Sequence, residues 1–182
     1  MEKQLGKFRA IQNSDLELML SWRNMPSVRR YMYTRHEITL EEHRLWWEKV
    51  CSRSDQQYFL YEYDSTPLGV VGFSQINNDD MNSSWAFYAS PEAPRGTGSR
   101  MEYLALEKVF REMMLHKLYC EVLDFNGAVI KLHQKFGFSI EGTFREHHQV
   151  DGEYVDIIRL GILKGEWELI RESILKKLIS QR

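Results

Sequence analysis

Two glycines, an arginine and two hydroxyl side chains meet in the short run Ala93-Pro94-Arg95-Gly96-Thr97-Gly98-Ser99. Glycine lets a backbone approach a ligand closely, and a helix that starts at such a turn offers unpaired N–H groups and a positive dipole end to an anion. The flanks fit this reading. Trp85-Ala86-Phe87-Tyr88-Ala89 upstream is strand-like, and Met101, Leu104, Ala105, Lys108 and Phe110 downstream recur with helical spacing. A phosphate-bearing ligand is the expected occupant, against a plain strand-to-helix connection in which the glycines only end the strand. The pattern is neither the dinucleotide fingerprint, which needs a third glycine, nor a Walker loop.

Two further residues bring acid–base chemistry. His133 lies in the short helical pattern that Asn126 opens, and an imidazole gains and loses a proton near neutrality. Glu121 lies in a strand pattern whose Leu118, Cys120 and Val122 share one face, so alternation turns it to the opposite face with Tyr119 and Leu123. A carboxylate there either orients or deprotonates a substrate, or is half of an ion pair. His133 on its own is equally open to a helix-surface or capped role, and Asn126 to capping the helix through its side chain.

The run from Arg95 to Gly98, followed by Asn126-Gly127-Ala128-Val129-Ile130-Lys131-Leu132-His133-Gln134-Lys135-Phe136-Gly137-Phe138, resembles the two signature segments of the GNAT superfamily of acetyl-CoA-dependent N-acetyltransferases. Those segments read Q/R-x-x-G-x-G/A and N-x-x-A-I-x-x-Y-x-K-x-G-F. Ala93 replaces the usual Gln or Arg, and His133 stands where many relatives carry a thiolate-protonating Tyr. The resemblance implies that acetyl-CoA is held at Arg95, Gly96, Thr97, Gly98 and Ser99, with Phe87 and Ala89 on the splayed strand and Asn126 on the pantetheine arm. It also implies direct acetyl transfer without a covalent enzyme intermediate, and no metal.

Trp22-Arg23-Asn24, Tyr31-Met32-Tyr33, the segment from Ser90 to Ser99, His116 to Leu123 and Glu141 to Asp156 are similar to the acetyltransferases of the pseudaminic acid pathway. That similarity implies an acceptor that is a UDP-linked amino-dideoxysugar, acetylated on its 4-amino group in the making of pseudaminic or a related nonulosonic acid. It assigns Arg23, Met32, Tyr33, His43, Trp46, Tyr88 and Glu121 to the acceptor pocket, with His133, Glu121 and Tyr88 at the chemistry. Arg23 suits a phosphate, and aromatic and Met faces suit a base and a deoxysugar. Core packing is the alternative for Arg23, Met32, Tyr33, His43, Trp46 and Tyr88, and most of all for Met32 and Trp46. The alternatives in function are a protein N-terminal or polyamine N-acetyltransferase and a non-catalytic coenzyme-binding module.

These residues need a frame to position them. Strands are expected near Phe8 to Ile11, at Tyr58 to Tyr63 and Gly69 to Gln75 around the turn Asp64-Ser65-Thr66-Pro67, then after the polar turn Asn77 to Asp80. Others follow at Leu118 to Leu123, Ser139-Ile140 and Val155 to Leu163. Helices are expected from Asp15 to Trp22, from the capping box Thr39-x-x-Glu42 through His43, Trp46, Trp47 and Val50, after the glycine turn, from Asn126, and after Gly165 with Trp167, Ile170, Ile174, Leu175 and Leu178 packed on the domain. These elements predict an α+β fold around a mixed sheet, in a single domain over residues 1–182. The resemblance implies a GNAT-like three-layer arrangement, its sheet mostly antiparallel and splayed at its centre with helices on both faces.

The composition agrees. Hydrophobic residues make up 43% of the 182, aromatics 13% and charged residues 27%, enough for a core under an ordinary surface. A formal charge of −2 encodes no polyanion affinity, so nucleic acid is not an expected partner. No apolar run approaches a membrane span, the start lacks the apolar core of a signal peptide, and Cys51 and Cys120 suggest neither disulfide framework nor metal cluster. The expected partner is a small-molecule acceptor, a homodimer is compatible with the chain, and the cytoplasm is the expected location.

Overall fold

The computed structural model describes residues 5–180. Seven strands form one sheet: β1 (Lys7–Ala10), β2 (Gln57–Tyr63), β3 (Thr66–Asn77), β4 (Asn82–Ala89), β5 (Lys117–Leu123), β6 (Ser139–Val150) and β7 (Glu153–Leu163), in the order β1-β2-β3-β4-β5-β7-β6. Every pairing is antiparallel except β4 with β5. That parallel pair is registered only at Asn82, Ser83 and Ser84 against Lys117, Leu118 and Tyr119. Beyond Ser84 the strands part, which is the expected splay, and the β4 edge over residues 85–89 loses its β5 partner.

Helices cover both faces. On one side lie α1 (Leu16–Asn24), the single turn α2 (Pro26–Arg29) and α3 (Leu40–Cys51); α1 packs through Leu16, Met19 and Trp22 onto Leu60 and Val70, and α3 adds Trp46 and Trp47 to that cluster. On the other, α4 (Thr97–Glu107), α5 (Gly127–Lys135) and α6 (Lys164–Ser180) enclose the larger core, which contains Trp85, Met101, Leu106, Phe110, Phe136 and Trp167. The capping box of α3 forms as its spacing predicts: Glu42 N–H donates to Thr39 Oγ1 (3.2 Å), and Thr39 N–H to Glu42 Oε2 (2.7 Å).

Some expectations change in extent. Asp64 and Ser65 alone form the first hairpin turn, both at positive φ (48° and 62°) as a two-residue loop of the primed type requires, while Thr66 and Pro67 enter β3. β6 is much longer than the expected Ser139-Ile140, because it pairs along its length with β7 as one long hairpin, and β7 itself begins two residues before the expected Val155 and ends at Leu163 as expected. The helix after the glycine turn ends in a π-type turn, Lys108–Glu112.

The C-terminal helix is part of the core. Trp167 is fully buried, its ring meets Tyr103 edge-on at 5.3 Å, and its indole N–H donates to Glu107 Oε1 at 2.9 Å. Trp167→Ala is expected to cost about 3–5 kcal/mol, read as the loss of unfolding free energy in urea. A change under about 1 kcal/mol would mean that α6 is dispensable to the fold.

Candidate active site

A strand alternates its side chains, so β4 serves two faces of the sheet. Trp85 and Phe87 point to the α4–α5 side, where Trp85 stacks on Phe87 (5.3 Å) and Phe138 (6.1 Å). Tyr88 points to the α1–α3 side and packs on the core of Leu60 and Val70. Two cavities follow, sharing Met32, Ala86 and Phe87.

The larger, about 390 Å³, is lined by Arg23, His43, Trp46, Tyr58 and Tyr88 among others. His43 stacks on Trp46 (5.0 Å, 16°), and Trp46 meets Tyr58 edge-on (5.1 Å). Arg23 Nη2 donates to the Thr34 carbonyl (2.9 Å), but Arg23 Nη1 and His43 Nε2 are buried without a partner. Burial pushes both groups toward their neutral forms, Arg23 adds its charge against His43, and burial pushes the Tyr88 phenol up. Tyr88 therefore stays a protonated donor at neutral pH and is no base.

The smaller cavity, about 160 Å³, lies in the splay and is lined by Tyr31, Tyr33, Cys120, Glu121, Asn126 and His133 among others. Glu121 accepts from Arg159 Nη1 (2.9 Å) and from the Tyr33 hydroxyl (3.3 Å), and Arg159 lies over the Tyr119 ring (3.6 Å). The ion-pair reading of Glu121 holds, and the same carboxylate borders the cavity. The predicted acceptor site groups Tyr88 with Glu121, but the structure separates them. Tyr88 belongs to the larger cavity and Glu121 to the smaller, because they extend from strands on either side of the splay.

His133 is 3% exposed and is neither on the helix surface nor a cap. Its Nδ1 lies 2.8 Å from Glu102 Oε1, and its ring contacts Trp85, Phe87 and Phe138 at 5.1–6.1 Å. Gly137 explains part of this placement: at φ 93° it ends α5 in a left-handed turn that folds Phe138 back over the histidine. Sequence reasoning missed Glu102. It lies one helical turn after Gly98, on the face where an added Gly98 Cβ meets Leu132 and Phe87 at 3.5 and 3.6 Å. That i,i+4 relation to the glycine was the available signal.

The glycine turn starts α4 as predicted, with Gly96 at φ 88° in the N-cap position. Thr97 departs from expectation. Its side chain is buried, and both its hydroxyl (2.7 Å) and its amide (3.1 Å) donate to the Pro94 carbonyl, so it braces the turn instead of facing a ligand. The amides of Gly98 and Ser99 are left without intrahelical partners. Those two free amides at a helix start, with Arg95 exposed beside them, make a turn that fits a pyrophosphate. Asn126 occupies the N-cap of α5, yet its side chain makes no capping bond and it lines the smaller cavity. Ala89 ends β4 on the unpaired edge, opposite Gly69 of β3.

One strap joins the two cavities. Asn24 holds both backbone groups of Ile38 (2.8 and 2.9 Å), Tyr31 stacks on Phe125 (6.1 Å), Tyr33 rests on His148 (5.0 Å) and Arg35 pairs with Asp151 (2.9 Å). The segment between α2 and α3 is thereby pinned across the splay, carrying Met32 to the border between the cavities.

A family model described as an acetyltransferase (GNAT) domain matches residues 7–139. Spermidine N(1)-acetyltransferase of Escherichia coli (strain K12) is 28% identical over 163 residues, 88% of this chain and 87% of that protein. Acetyltransferase PseH of Campylobacter jejuni (serotype O:23/36, strain 81-176) is 26% identical over 147 residues, 81% of this chain and 91% of that one. The crystal structure of spermidine N-acetyltransferase from Vibrio cholerae in complex with CoA and spermine shares the fold, with a TM-score of 0.84 at 23% identity over 89% of this chain and 97% of that one. The chain belongs to the GNAT acetyltransferase family and is an acetyl-CoA-dependent N-acetyltransferase.

Proposed function

We propose that the acceptor is a UDP-linked amino-dideoxysugar, acetylated on its 4-amino group in the pathway to pseudaminic or a related nonulosonic acid. The observation that carries this reading is the pair of unpartnered nitrogens, Arg23 Nη1 and His43 Nε2, in a cavity walled by Trp46, Tyr58 and Tyr88. A buried cation without an anion is costly, and a phosphate oxygen is the partner a guanidinium suits best, while the aromatic walls suit a planar base. Met32, Tyr33 and Trp46 add apolar and hydroxyl surface for the sugar. A polyamine calls instead for free carboxylates. Glu42 is engaged in the cap of α3 and Glu121 with Arg159 and Tyr33.

In this reading the larger cavity holds the nucleotide, and the reacting amine passes Met32 into the splay. The unpaired edge at Phe87 and Ala89 aligns the thioester carbonyl, and the amides of Gly98 and Ser99, with Arg95 and Gly96, hold the pyrophosphate. Glu121 orients the amine, Tyr88 donates a hydrogen bond to the acceptor, and His133 protonates the leaving thiolate. The test is thiol release from acetyl-CoA with UDP-amino sugars, peptides and polyamines offered in parallel. Turnover confined to the sugars is expected, and turnover confined to either other class overturns the assignment.

The coenzyme site has its own test. A Cβ at Gly98 meets only ordinary contacts with Leu132 and Phe87, so Gly98→Ala should fold and bind, whereas the bulk that Gly98→Val adds beside the Gly98 and Ser99 amides should obstruct the coenzyme approach. A loss of acetyl-CoA affinity of about tenfold or more, about 1.4 kcal/mol, is expected by calorimetry for the valine variant at unchanged melting temperature. Equal affinity in folded protein would remove the turn from the site.

A further inference from the structure

We propose that Glu102 is a positioning residue for acetyl transfer: it takes the Nδ1 side of His133 and so presents Nε2–H to the cavity in the splay, a role that rests on the reading of His133 as the proton donor. The carboxylate is 0% exposed and the imidazole 3%, with 2.8 Å between them. Because the bond occupies Nδ1, Nε2 is the nitrogen left for the cavity that the ring lines.

The surroundings decide where the protons sit. Trp85, Phe87 and Phe138 enclose the ring, Glu102 Oε2 has no partner, and burial pushes the Glu102 carboxyl up against the pull of the His133 bond. The other titratable groups along this cavity are Cys120 and Glu121 on β5 and Tyr31 and Tyr33 on the strap, and Glu121 is already matched by Arg159. A net charge on the pair is therefore disfavoured. With one proton between Nδ1 and Oε1, a pair of no net charge holds its second on Nε2.

The step balances. The amine nitrogen bonds to the carbonyl carbon, the C–S bond breaks with its electron pair on sulfur, and the Nε2 proton moves to sulfur to give the thiol. Nε2 keeps the N–H electron pair, and the proton shed by the acylated amine returns to it through solvent.

Two measurements test the role. In protein carrying ¹⁵N-histidine, the His133 signal, identified by its loss in His133→Gln, should show Nε2 protonated at neutral pH, and Glu102→Leu should allow the proton to move to Nδ1. An unprotonated Nε2 in the wild-type protein overturns the proposal, and no acceptor is involved, so this result stands apart from the identity of the substrate. In kinetics on whichever amine releases thiol, Glu102→Gln should lower kcat about 10–100-fold with KM for acetyl-CoA within about twofold. In a His133→Gln background the same change should cost nothing further. A full, additive loss there would show that Glu102 acts through the fold and not through His133.

Discussion

His133→Ala is expected to lower kcat by about 10²–10⁴-fold while leaving acetyl-CoA affinity nearly unchanged, because a general acid acts mainly in the transition state. The position argues for a large effect. The ring lines the cavity in the splay, and no other histidine does, so the variant leaves no imidazole there to protonate the thiolate. Removing the ring also leaves Glu102 unpaired in the core, which costs stability by about 1–3 kcal/mol. His133→Gln separates the two effects, since its amide fills the space and can donate to Glu102 while offering no useful acid. Both variants should retain coenzyme binding by calorimetry and lose turnover. Turnover equal to wild type across neutral pH would take His133 out of the mechanism.

Arg23→Ala should weaken the nucleotide sugar far more than acetyl-CoA. A guanidinium that pairs with a buried phosphate is worth about 2–5 kcal/mol when truncated, roughly 30-fold in KM at the low end. Arg23→Lys should recover little, because one ammonium cannot reproduce a planar fork that spans the Thr34 carbonyl and a ligand oxygen. Acetyl-CoA should be indifferent, since its proposed wall lies across β4 from Arg23. Steady-state kinetics with each substrate varied in turn give both constants. If Arg23→Ala raises both equally, or if peptide N-termini or spermidine are acetylated while UDP-amino sugars at millimolar concentration are ignored, the sugar reading fails.

The features legible in the sequence are those that short-range backbone rules write. Thr39 and Glu42 announce the start of α3 three residues apart, and Gly96 the start of α4. Alternation placed Glu121 opposite Cys120 correctly. The unread features are long-range. Glu102 and His133 are separated by 31 positions, and Arg35 and Asp151 by 116, and nothing local marks an acid on a helix as the partner of a histidine on another. The division of Tyr88 from Glu121 follows from where β4 and β5 cease to pair, a register property that neither strand carries alone. Asn126 had the right residue type for a side-chain cap, but its backbone at ψ 51° is not the extended cap conformation that directs the oxygen to the helix amides.

The two faces of β4 also bear on how such a chain diversifies. The walls of the larger cavity come mainly from residues 23–46 with Tyr58 and Tyr88, and the glycine turn, Glu102 and His133 from residues 95–133. On the proposed reading, substitutions in the first stretch bear on the acceptor, while its strap residues Tyr31, Met32 and Tyr33 also reach the cavity in the splay. The chain is comparably similar, at 28% and 26%, to a spermidine acetyltransferase and to Acetyltransferase PseH. On that reading the acceptor is decided by a few side chains of α1, the strap and α3, which overall identity hardly registers.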